Sequence, residues 1–334
     1  MIRDCKNIWF VSREYGSLTK GGGVHYLVEQ LTTALARSGR DVSVVLPLYG
    51  FIEPEEAGFS RLDLSFSVDM SYARQERRES VTIWHKKKIG DIYLIDSPRF
   101  REKRGLYTYS AAESKKSAGI RQGDRHVDYF AMNILLQKAA VCLMIRLDRQ
   151  VDIIHCHDAH TALLPALIRE NEGFRHYFVK TGCLISIYNA RADLHQGVAD
   201  LAFAQAVSGL PARVINRHIL NNQFDPLLSA ADYAVMSTVS KSYARQLTET
   251  DEDEQSGWLG HTLMGRGVRL IGAAGAISRD NEAAKPGAEY AWDRLKKSYL
   301  DLYSMSCPGI TCLFASSDKS MGDVRNGQVA KRMI

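Results

Sequence analysis

The chain has 334 residues, 43 Lys and Arg against 38 Asp and Glu, a net charge of +5 and 45% hydrophobic residues. At about 100–200 residues per domain, that length allows one large domain or two ordinary ones. The apolar and charged fractions exclude a disordered chain, a collagen-like fibre and a disulfide-dense mini-protein. No window approaches about 18 uninterrupted apolar residues, which excludes a transmembrane helix on length. The N-terminus, MIRDCKNIWFVS, has no small-residue cleavage site and does not read as a signal peptide.

In chain order, Lys6 to Val11 is a short apolar run that leads into the polar, glycine-rich loop SREYGSLTKGGG. Val24, Leu27, Val28, Leu31, Leu35 and Ala36 then recur at helical spacing, and Gly39 supplies a stop. DVSVVLPLY follows as a buried strand. Strand, loop, helix and strand with short connections open a parallel α/β sheet. Between Glu53 and Arg104 the pattern changes, and SVTIWHKKKIGDIYLID alternates as two strands joined at Ile89–Gly90–Asp91, an inserted hairpin. Asp128 to Leu147 fills a long helix. VDIIHCHD is another strand, with a helix following from Ala159, and FVKTGCLISIYN and ADYAVMSTVS are two more strands. SKSYARQLTET is a helix begun by a Ser N-cap, and TETDEDEQ is a solvated acidic loop. EYAWDRLKKSYLDLY is an amphipathic helix, and GITCLFASS is the first strand of something new.

Basic residues cluster at Arg74, Arg77 and Arg78, at Lys86 to Lys88, and at Arg99, Arg101, Lys103 and Arg104. They read as solvated hairpins and loops. With no recognition motif or aromatic stacking positions beside them, no nucleic-acid partner is expected. Six cysteines are scattered without a CxxC pair. They read as buried or free thiols in a reducing compartment, with the cytoplasm as the default.

Four segments carry chemistry. Lys20-Gly21-Gly22-Gly23 lies between the first strand and the first helix, where glycines admit a ligand to the backbone and a helix N-terminus favours an anion. A tight turn explains the same residues. His155-Cys156-His157-Asp158-Ala159-His160 lies where a strand meets its loop, the place where open α/β sheets bind ligands. Metal binding, helix capping by Asp158 and a ligand crevice all fit that cluster; zinc lacks a partner motif elsewhere. Ile187 to Gly197 is the third segment, and Thr238-Val239-Ser240 with Tyr243 is the fourth.

In order, the lysine–glycine loop, ARSGRDVSVVLPLY, DIYLIDSPRF, DIIHCHDAHTALLPALI, NxxxxxxHQG, ADYAVMSTVSKSYARQLTET and RLIGAAGAI span residues 6 to 277. Together they resemble the N-terminal half of bacterial glycogen synthases and plant starch synthases, retaining glucosyltransferases of the GT-B fold. The resemblance implies a Rossmann-like α/β domain over 1–284, with a parallel sheet, flanking helices and the inserted β-hairpin. It further implies a linker helix over 285–309 and, over 310–334, the truncated start of a second domain or a tail. Lys20, Gly22 and Gly23 would bind the donor, and His157 and Asp158 would act at the reacting centre. His160, Asn189, Gln196, Ser240 and Tyr243 would line the cleft. The implied substrates are ADP-glucose and an α-1,4-glucan, with no metal, no other cofactor and no membrane.

Departures from the family pattern are Tyr26 for an aspartate, Ala159 for a tryptophan and Tyr188 for the histidine that contacts the donor sugar. Three extra residues precede His195-Gln196-Gly197. Ala274-Gly275-Ala276-Ile277 stands for an Asn-Gly-Ile-Asp turn, and Lys319 is the nearest match to a second-domain arginine. With the donor domain missing, the chain alone is expected to be inactive. A non-catalytic glucan-binding domain, a partner of a complete synthase or of a separately encoded second domain, and the remnant of a disrupted synthase gene are the alternatives.

Overall fold

The structure is a computed structural model and describes residues 5–19, 21–116, 119–273 and 288–307. Its strands are β1 (Asn7–Val11), β2 (Asp41–Pro47), β3 (Ser60–Asp69), β4 (Arg78–Lys87), β5 (Asp91–Asp96), β6 (Ile153–His157) and β7 (Gly182–Ile187). The two-residue pair β8 (Ile219–Leu220) and β9 (Gln223–Phe224), then β10 (Val235–Thr238) and β11 (Leu270–Gly272), complete them. One mixed sheet runs β11-β10-β7-β6-β1-β2-β5-β4-β3, parallel from β11 to β5 and antiparallel over β4 and β3. From β1 the chain moves through β2 to β5 on one side, then through β6 and β7 to β10 on the other. The topological switch point therefore lies between β1 and β6, and the crevice beyond their carboxyl ends is where such sheets take ligands.

The parallel strands read as continuous apolar runs because both of their faces are covered. Helix α1 (Val24–Arg37) buries Val28, Leu31, Thr32 and Leu35, the stripe its spacing predicts. Tyr129–Arg146 is long and apolar enough to cross a membrane by length and composition, although Asn133, Gln137 and Lys138 interrupt its apolar run. It is 72% buried inside the protein as a core helix, and its Lys138 Nζ donates to the carbonyls of Asp69 and Val207 at 2.8 Å.

Three expectations change. The hairpin at Ile89–Gly90–Asp91 exists, but its second strand, β5, pairs in parallel with β2 and belongs to the main sheet. What extends the sheet is β4, the first strand of that hairpin, with β3, a strand additional to those expected. The third basic run is only partly solvated: Arg104 is exposed, but Arg99 bridges Glu79 and Asp128, and Lys103, 6% exposed, reaches Asp128 at 2.8 Å. Nor is the acidic segment a solvated loop. It winds into a 3₁₀ turn over Asp251–Ser256 in which Asp253 is fully buried. Its carboxylate accepts from the backbone N–H groups of Gly260 at 3.1 Å and His261 at 2.8 Å, and from His261 Nδ1 at 2.9 Å.

The Ala288–Ser306 helix packs back against α1, β7 and β10, burying Leu295, Tyr299, Leu302 and Tyr303. The expected strand after Gly309, Lys319 and the Ala274-to-Ile277 turn lie outside the described residues.

Removing the Asp253 carboxylate leaves two buried N–H groups without acceptors. Asp253→Ala should therefore destabilise the fold by about 2–3 kcal/mol in urea unfolding. A loss below about 0.5 kcal/mol would mean that water replaces the carboxylate.

Candidate functional site

A cleft of about 670 Å³ opens at the switch point, beyond the carboxyl ends of β1 and β6. From the β1 side come Arg13 and Glu14, both nearly buried. Arg13 Nε donates to Tyr49 Oη at 2.7 Å and a terminal nitrogen donates to the Leu106 carbonyl. Its guanidinium also lies 5.0 Å from the centre of the Tyr107 ring.

Glu14 occupies the place where the sequence suggests an anion. Its Oε2 accepts from the backbone N–H of Gly22 at 3.0 Å and of His25 at 3.3 Å, while its Oε1 accepts from the Tyr107 hydroxyl. The glycine loop thus folds around the protein's own carboxylate, a favourable arrangement at the positive end of α1. Gly22 and Gly23 line the cleft, and a Cβ at Gly23 would meet nothing within 4 Å. Lys20 lies outside the described residues.

On the β6 side, Asp158 turns the chain off the strand with φ 55° and ψ −177°, a conformation rare for a residue with a side chain. Its N–H donates to the Ser186 carbonyl at 2.9 Å, and its Oδ1 accepts from the Tyr188 N–H at 2.8 Å. It makes no side-chain cap to the following turn, so the capping reading fails. Burial pushes its carboxyl up to about 7, against the hydrogen bond from Tyr188 and with a smaller push from the charge of Glu14.

His157 and His160 separate. His160 lines the cleft, its ring 5.0 Å from that of Tyr107, and burial holds it neutral. His157 lies behind the wall. Its Nδ1 is 2.8 Å from the Tyr188 hydroxyl, the two rings stack within 3° of parallel, and burial pushes its pKa down to about 3. Tyr188 presents itself to the cleft in its place, its own pKa raised well above the ordinary 10 by burial. Both groups are neutral near pH 7.

Asn189 and Gln196 line the cleft. Gln196, at φ 61°, accepts from Asn133 Nδ2 at 3.1 Å, and the neighbouring His195 is tied to Asp225 at 2.7 Å and to the Ala190 carbonyl. Ser240 and Tyr243 do not line it. Ser240 caps the Lys241–Glu249 helix by accepting from the Tyr243 N–H, and Tyr243 Oη accepts from the Ala190 N–H. Tyr243 borders a smaller neighbouring cavity of about 310 Å³, together with Tyr188 and Asn189.

The sequence reading missed Arg13, Glu14, Tyr107, Arg125, Tyr129 and Asp193, all in the cleft wall. For Arg13 and Glu14 a signal existed, since they follow β1 directly at the carboxyl edge of the sheet. Tyr107 and Arg125 come from irregular chain that carries no period.

Residues 7–262 match the starch synthase catalytic domain family. The chain belongs to that family. It is 30% identical over 247 residues to a glycogen synthase of Anaeromyxobacter sp. (strain K), covering 72% of this chain and 46% of the relative. It is 26% identical over 313 residues to a glycogen synthase of Geotalea uraniireducens, covering 90% and 56%. Among solved structures, the catalytic domain of starch synthase IV from Arabidopsis thaliana, bound to ADP and acarbose, superposes with a TM-score of 0.65 at 20% identity. That match covers 81% of this chain and 51% of the other, and it shows a shared GT-B fold. The chain spans about half the length of the curated relatives it matches.

The Asp158 carboxyl ionises near 3.8 in an unfolded chain and near 7 in the folded one. The native state holds the extra proton between those values, so stability falls as pH rises from about 4 to 7. Asp158→Asn keeps the amide acceptor and removes the ionisation, and its urea midpoint should fall less over that range than that of the unmodified protein. Equal slopes would show an ordinary carboxyl. Separately, Tyr188→Phe strands the His157 Nδ1 and should cost about 1–3 kcal/mol in the same assay.

Proposed function

We propose that the cleft binds the α-1,4-glucan of a starch or glycogen synthase-type reaction, and that these 334 residues tested alone bind glucan without transferring glucose. The carrying observation is the Tyr188–His157 pair. At the position where the family has a histidine that contacts the donor sugar, this chain holds a neutral phenol bonded to a buried, neutral imidazole. Departure of a nucleoside diphosphate calls for cationic or N–H stabilisation of developing charge. A phenol fixed to its neighbour offers little of that.

The rest of the lining supports recognition of a sugar. Tyr107, Tyr129, Tyr188 and His160 bring aromatic rings to the lining, the kind of surface that packs against the C–H groups of a pyranose, while Asp158, Asn189 and Gln196 bring partners for hydroxyls. Glycogen synthases among the relatives and the ADP- and acarbose-bound starch synthase support glucan and nucleotide sugar as the substrate classes. Transfer from ADP-glucose is the second reading, favoured by the open backbone at Gly23, and it calls for a donor wall beyond the described residues.

In native gels containing glycogen the chain should migrate more slowly than in plain gels, and Tyr107→Ala should weaken that retention about tenfold. Unretarded migration would overturn glucan binding. In a mixture with ADP-glucose and glycogen, nucleotide release should stay at background; release above it would replace this reading with the second.

A further inference from the structure

Cys5 precedes β1 and Cys307 follows the Ala288–Ser306 helix, 302 positions apart in the chain, yet their sulfurs lie 2.9 Å from each other. Both side chains are nearly buried, at 5% and 1% exposure. About 0.9 Å of approach would bring the sulfurs to the 2.03–2.05 Å of a disulfide. We infer that Cys5 and Cys307 are a redox pair, closed to an intrachain disulfide by a small peroxide, and that the bond latches the Ala288–Ser306 helix against the sheet.

The step balances with hydrogen peroxide as the oxidant. One thiolate attacks a peroxide oxygen and becomes a sulfenic acid, releasing hydroxide. The second sulfur then attacks the sulfenic sulfur, forms the S–S bond and expels the oxygen as water. Two thiols and one peroxide give one disulfide and two waters. A small oxidant suits the pair, because access is limited to the slight exposure at Cys5.

The latch has a structural target. The helix it fixes carries Tyr303, whose hydroxyl is 2.9 Å from His155 Nδ1, and Tyr299, whose hydroxyl is 3.3 Å from Ser186 Oγ. His155 and Ser186 lie directly behind His157 and Tyr188. Tyr299 and Tyr303 are therefore positioning residues for the cleft wall, and the disulfide would hold them in place. The other described cysteines are placed differently. Cys142 lies on the core helix, and Cys156 and Cys183 are buried in the strands, where burial raises their thiols, that of Cys183 to about 12.

Reduced full-length chain is treated with one equivalent of hydrogen peroxide, remaining thiols are alkylated, and peptides are mapped without reduction. The expected result is one cross-linked peptide pair joining Cys5 and Cys307, lighter by two hydrogens. The oxidised protein should melt roughly 5 °C or more above the reduced one, since the bond closes most of the chain. Amide exchange across 153–158 and 184–188 should slow on oxidation and recover with dithiothreitol. Cys307→Ser should show none of these changes, and Cys5→Ser serves equally if the first variant folds poorly. Alkylation of both thiols after oxidation, or pairing of either with another cysteine, overturns the pair. A cross-link that leaves melting and exchange unchanged overturns the latch.

Discussion

His155 and His157 point to the same side of β6, because side chains alternate along a strand, and their ring centres are 4.2 Å apart. Both are buried and neutral, and a buried imidazole is costly unless its nitrogens find partners. Three of the four ring nitrogens find side-chain partners, and His157 Nε2 has none among the described residues. Ser186 on β7 answers His155 Nε2 at 2.8 Å, Tyr188 just beyond β7 answers His157, and Tyr303 from the far end of the chain answers His155 Nδ1. Two segments widely separated in sequence, residues 186–188 and the helix carrying Tyr303, are thereby tied to one strand. The ends of β6 and β7 are held in register, and the cleft floor is set upon them.

Asp158 shows what this anchoring supports. A non-glycine residue at positive φ costs of order 1–3 kcal/mol and persists only where its surroundings over-determine it. Here both of its ends are held, through its N–H to the Ser186 carbonyl and its carboxyl to the Tyr188 N–H. The turn directs the chain away from the sheet as soon as β6 ends, and the carboxyl comes to the crevice. His195 serves the opposite wall in a comparable way. Burial disfavours its protonation, but the Asp225 hydrogen bond and charge outweigh that and raise its pKa, so this loop is pinned by a buried pair.

Much of this fold is legible in the sequence. Apolar runs mark β1, β2, β6, β7 and β10, helical spacing marks α1 because burial of one face imposes that period, and a long, mostly apolar stretch marks the Tyr129–Arg146 helix, which is buried nearly all round. β3 is hidden, since most of its residues face solvent and its pairing with β4 shifts register between Arg61 and Ser65. The glycine loop is legible as a seat for negative charge. That the charge belongs to Glu14 is not, because it depends on how a strand end and a helix start meet in space. The Ala288–Ser306 helix reads as amphipathic, yet nothing in its period says that Tyr303 meets His155. Tyr107 and Arg125 escape for a related reason: irregular segments are placed by tertiary contacts alone.

The charges at the cleft floor are largely spent inside the protein. Arg13 is engaged by Tyr49, the Leu106 carbonyl and the Tyr107 ring, and Glu14 by two backbone N–H groups and a hydroxyl. Arg125, half-buried, lies over the Tyr129 ring at 5.3 Å. Among the described residues, the rest of the lining is largely aromatic rings with amide and carboxyl groups between them. A diphosphate arriving at the glycine loop would meet a carboxylate already holding two of its N–H groups, and like charges brought together in a poorly solvated site repel strongly. A neutral polyol carries no such penalty: its hydroxyls both donate and accept, so they can pair with a carboxyl, an amide or a phenol in either protonation state. The same carboxylate that makes the loop stable therefore favours uncharged hydroxylated ligands over anions at this wall of the cleft.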